Sequence, residues 1–161
     1  MKIINEEILK GLLNIFKINS QRIEVYGKLS ETIYTPELQQ HFKTQADEST
    51  LLLNELNSIL YQSFENSESP ILYEDSIIDQ SVFYFGMARA SNNPRTVMVS
   101  CQFGDEFLMK AYQKILEFLE VKYMPSLNDI LTKHLKSIKH QKVNIENLLL
   151  SNLTMKYFKI Q

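Results

Sequence analysis

Thr35-Pro36-Glu37-Leu38-Gln39-Gln40-His41-Phe42 joins two long stretches of helical periodicity with almost nothing between them. Thr35 has the side chain of an N-cap, Pro36 suits the first helical position and Glu37 suits the positive end of a helix dipole. From there Leu38, Phe42, Gln45, Ser49, Leu52, Leu56 and Ile59 recur at intervals of three and four, which predicts a helix over 36–62. Upstream, Ile8, Leu12, Phe16, Ile23, Tyr26 and Ile33 lie on one face of a helix predicted over 5–34, with Asn5 as its N-cap. So short a link makes the two helices antiparallel neighbours.

The texture changes near Ser63. Residues 63–75 are rich in Ser, Asn and acids, include Pro70, and read as loop. The apolar cluster Ile77, Ile78, Val82, Phe83, Tyr84, Phe85 and Met87 has strand composition, but Ile78, Val82 and Phe85 share a helical face. A single strand would have no partner, so a short helix is expected. Ser91-Asn92-Asn93-Pro94 breaks the chain and caps a third long helix over 94–123, with Val97, Cys101, Gly104, Leu108, Ala111, Ile115 and Phe118 inward. Met124-Pro125-Ser126 turns it again, and Ser126 with Asp129 resembles a capping box. A fourth helix over 126–152 carries Leu127, Leu131, His134, Ile138, Gln141, Ile145 and Leu148 inward. Two tight hairpins and one long crossover (63–93) predict an all-α, ferritin-like four-helix bundle spanning 1–161 as a single domain.

Bulk properties agree. A chain of 161 residues buries roughly 68–70% of its unfolded surface. Four Gly, four Pro and no Trp leave too few turn residues for a sandwich or barrel. Net charge −2 offers no basic face for nucleic acid, and no apolar run approaches the ~20 residues of a membrane span. A polar N-terminus and one cysteine, Cys101, fit a cytoplasmic protein.

Several short motifs are similar to a group of small bacterial ferritin-like proteins classed as a domain of unknown function. They are Leu13-Asn14 with Ile23-Glu24-Val25-Tyr26, Thr35-Pro36-Glu37-Leu38, and Cys101-Gln102-Phe103-Gly104-Asp105-Glu106 followed by Lys110-Ala111-Tyr112. The resemblance covers residues 8–148 and implies a ferritin-like fold without an established activity. It also implies a histidine on the fourth helix where this chain has Lys142.

Di-metal centres of that architecture need a Glu from each of two helices and Glu-x-x-His from each of the others. The first three helices offer Glu24, Asp47 with Glu48, and Asp105 with Glu106. Three residues after Glu48 stands Leu51, and the fourth helix has no acid between Asp129 and Glu146. That helix instead carries Lys133, Lys136, Lys139 and Lys142. Glu24, Glu48, Glu106 and His140 are the candidate set for iron or another divalent metal, but the expectation is no cofactor. The flanking acids read instead as solvated or paired with lysines.

Asn19, Gln45, Ser49, His134 and Gln141 fall on the inner stripes, as a polar layer that must be hydrogen-bonded or that lines a cavity for a small polar ligand. Cys101 reads as a buried, inert thiol rather than a nucleophile, and Gly104 as a point of close helix approach. The cluster 77–87 and the C-terminal Leu148-Leu149-Leu150, Leu153, Met155, Tyr157, Phe158 and Ile160 are surplus apolar surface. Either each covers the other, or they form an interface for a homodimer or another protein.

Overall fold

The computed structural model describes residues 5–33, 36–64 and 76–150, with no side chains described for 60–64, 76–78, 94 and 148–150. Among these residues the chain is all-helical, with six helices: α1 Glu6–Thr32, α2 Pro36–Phe64, α3 Ser76–Ala90, α4 Pro94–Leu116, α5 Leu119–Lys122 and α6 Pro125–Leu150. None is long and apolar enough to cross a membrane. The Thr35 cap, the loop 65–75 and the apolar residues beyond Leu150 lie outside the described residues.

The ends follow local chemistry. Asn5 accepts from the Glu7 amide at 2.8 Å, and Asn93 accepts from Arg95 and Thr96 ahead of Pro94. The start of α6 differs from the capping box expected there. The helix begins at Pro125, the Asn128 amide bonds to Met124 O, and Ser126 and Asp129 lie inside the first turns.

The third long helix is also shorter than its periodicity predicts. It ends at Leu116, Phe118 is extended (φ −64, ψ 128), and the four-residue α5 follows. The offset drives Val121 into the core at 0% exposure, while Phe118 is only half-buried. Burial of one more aliphatic side chain stabilises this break by roughly 1.5–3 kcal/mol.

Helix α1 packs on α2, α3 and α4, and α6 packs on α2 and α4, so α1, α2, α6 and α4 close a ring. Three covering neighbours explain why the buried face of α1 is wider than the stripe read from spacing. Ile15, Ile18, Asn19, Arg22, Val25 and Leu29 are buried, whereas Phe16 and Ile23 are half-buried. Pairings set the directions. Asn19 meets Tyr112 and Tyr26 meets Asp105, so α1 and α4 are antiparallel. Tyr112 meets His134 and Glu106 meets Lys142, which makes α6 antiparallel to α4. Asn19 meets Ser49 while Tyr26 stacks on Phe42, so α2 opposes α1 and runs parallel to α4.

Helix α3 lies against α4 and α1. Phe85 sits directly over Gly104, where an added Cβ would stand 2.8 Å from its ring, and Ser81 donates to Gly104 O at 2.9 Å. Gly104 thus admits the ring that locks α3 to α4.

Candidate functional site

The centre of the ring is polar. Asn19, Arg22 and Tyr26 project from one face of α1, Gln45 and Ser49 from α2, Asp105 and Tyr112 from α4, and His134 from α6. All eight are buried. Arg22 is 0% exposed, and each of its five N–H groups has an acceptor. Nε donates to Asp105 Oδ1 at 2.7 Å and Nη2 to Oδ2 at 3.2 Å. Nη1 donates to Ser49 Oγ at 2.8 Å and Gln45 O at 3.2 Å, and Nη2 also donates to Gln45 Oε1. Tyr26 donates to Asp105 Oδ2 at 2.5 Å, with the guanidinium 4.6 Å from its ring centroid.

The network continues along the core. Ser49 donates to Asn19 Oδ1 at 2.9 Å, and Asn19 Nδ2 donates to Tyr112 Oη at 3.0 Å and Ile15 O at 2.9 Å. The Tyr112 hydroxyl therefore has its own proton for His134 Nδ1, 2.5 Å away. Donor counting puts the ring proton of His134 on Nε2, which has no partner.

Burial alone would push the Arg22 guanidinium toward neutrality. The charge of Asp105 outweighs it and holds the guanidinium above its ordinary range. Burial, with the positive charge of Arg22 second, lowers His41 to about 4 and His134 to about 3. Both rings are neutral at physiological pH. Burial also raises both tyrosine hydroxyls, so neither supplies a base.

Next to this layer is a cavity of about 20 Å³, lined from all four ring helices. That volume admits one water or one ion and no larger substrate. Tyr26, Gln45 and Asp105 join it to the network, and His41, Cys101, Gln102, Gln141 and Lys142 also line it.

Of the inner polar residues expected from spacing, Asn19, Gln45, Ser49 and His134 lie in one network. Gln141 is half-buried and lines the cavity instead. The metal candidates do not converge. Glu24 pairs with Arg89 at 3.2 Å on the surface, Glu106 pairs with Lys142 at 2.6 Å, Glu48 accepts from Ser137, and His140 is exposed. Among the described residues no three His, Cys, Asp or Glu side chains group around one point. The polar core already contains a guanidinium that satisfies its nearest carboxylate, and two further dications there would meet uncompensated repulsion. The residues present do not fit a di-metal centre.

Arg22 is the central residue that spacing alone passed over. It stands three residues after Asn19 on the same face, but a cation is rarely buried and spacing alone does not mark one as inward. Asp105 stands four residues after Cys101 in the same way, 83 residues from its partner. No protein family, curated protein or solved structure matches the chain.

Proposed function

We propose that the chain is a ferritin-like four-helix bundle that is non-catalytic and acts by association, as a homodimer. In favour of the ferritin-like arrangement, α2 and α4 run parallel across the ring, so the connection between them must traverse its length, and α3 occupies that connection. A simple up-and-down bundle would make them antiparallel.

The observation that carries the association reading is the outer face of α3 and α4. Tyr84 stacks on Phe103 at 5.1 Å and on Phe107 at 5.9 Å, and Phe83 meets Tyr84 edge-on at 5.4 Å. Phe83 is 60% exposed and Phe103 43%, with Met87 and Val99 exposed one turn away. Aromatic rings at such a surface are the usual anchors of an interface. A second copy fits it by charge. Helix α3 is acidic in its first turn (Asp79) and basic in its last (Arg89, which also holds Glu24 of its own chain), so two copies of α3 paired antiparallel across a two-fold axis bring opposite charges together.

Light scattering after size exclusion tests this on the full chain. A dimer that Phe103→Glu and Phe83→Glu each convert to folded monomer supports the reading. A wild-type monomer at every concentration measured removes it.

A further inference from the structure

One wall of the small cavity is chemically different from the rest. Met98 and Cys101 stand three residues apart on α4, and His41 faces the same space from α2. All three are buried, His41 at 8% exposure. The Nδ1 atom of His41 has no hydrogen-bond partner, a cost of about 1–3 kcal/mol for a buried polar atom. Imidazole, thioether and thiol together form a soft donor set, of the kind that selects monovalent copper over harder ions.

We propose that His41, Met98 and Cys101 form a binding site for a single Cu(I) ion. The charge around the cavity argues for a monocation. Arg22 of α1 is balanced by Asp105 of α4, and Lys142 of α6 is balanced by Glu106 of α4. Tyr26 of α1 also faces the space and is neutral. Cu(I) on one thiolate adds no net charge to these surroundings. A dication on the same thiolate would leave a buried positive charge beside Arg22, which is strongly unfavourable. The volume admits one ion.

Binding forms a Cu–Sγ bond as the Cys101 thiol loses its proton to solvent, and copper keeps its oxidation state throughout. Burial and then the charge of Asp105 keep that thiol protonated in the free protein. Each ion bound therefore releases a proton, and affinity rises about tenfold per pH unit. His41 is already neutral and releases none. The site does not depend on the association reading.

The test is anaerobic titration of the reduced full chain with Cu(I) in competition with the chelator bicinchoninate. X-ray absorption at the copper edge of the loaded wild type accompanies it. The expected result is one Cu(I) per chain with two sulfurs and one nitrogen around it. Cys101→Ser should abolish binding, and His41→Gln and Met98→Leu should each weaken it about tenfold or more, with melting curves showing each variant folded. Failure of the wild type to compete overturns the proposal. So does copper without sulfur neighbours, or undiminished binding by folded Cys101→Ser, which would mark an adventitious surface ion. The spectrum keeps the proposal falsifiable even if a core variant does not fold. Phe103→Glu should leave copper binding unchanged.

Discussion

The two most distinctive regions of the molecule treat unfavourable groups in opposite ways. Around Arg22 the ring helices bury charge, and nearly every donor there finds an acceptor inside the chain. On the outer face of α3 and α4, rings that water does not solvate well are left half-covered. Buried charge unpaired by even one bond is costly, so the inner region must be self-sufficient. Exposed aromatic area costs far less per residue, so the outer region is free to wait for something else. A closed network is therefore weak evidence of chemistry, while an incomplete surface is evidence of a contact.

The contrast is sharpest in acid. His41 and His134 have pKa values below that of an unfolded histidine, so between pH 6.5 and 4 the unfolded chain binds more protons. Their contribution is intact above pH 6.5 and is lost as pH falls toward about 4. The loss is roughly 3 kcal/mol for each ring over that window. Urea midpoints measured against pH should fall steeply there, and His41→Gln with His134→Gln should flatten the slope. A wild-type profile flat from pH 7 to 4 would show that the core is wetter than described.

Removing the central cation comes next. Arg22→Leu leaves the Asp105 carboxylate buried with, among the described residues, only Tyr26 to bond it, and should cost roughly 3–5 kcal/mol by urea denaturation. The double variant Arg22→Leu with Asp105→Leu should recover part of that loss, because no buried charge remains. The joint between the two regions is tested by Gly104→Ala, whose new methyl meets the Phe85 ring and should cost about 1–3 kcal/mol.

The outer face should respond differently. Phe103→Glu should change the unfolding free energy of the monomer by no more than about 0.5 kcal/mol while altering the oligomeric state. A comparably small effect is expected for Arg89→Ala. Its ion pair with Glu24 is exposed on both sides, and double-mutant analysis should assign it under about 1 kcal/mol. A coupling as large as that of Arg22 would erase the distinction between the regions.

The spacing of Asn19, Gln45, Ser49 and His134 marks their burial, because a polar residue on an apolar stripe has nowhere else to go. Arg22 occupies the same kind of position. A cation is buried only when a counter-charge is delivered to it, and Asp105 is distant in sequence. Glu24, Glu48 and Glu106 sit beside their stripes, and such edge positions are resolved only by which neighbouring helix supplies a partner.

Periodicity, caps and prolines by themselves determined that the chain is helical, where α1, α2 and α6 run, and that a helix interrupts the crossover. These features depend on neighbours three or four residues away, which sequence contains directly. The break at Phe118, the closure of the ring, the five-fold coordination of Arg22 and the meeting of His41 with Met98 and Cys101 were decided by tertiary structure. Each depends on a partner from another helix, and only packing sets that distance.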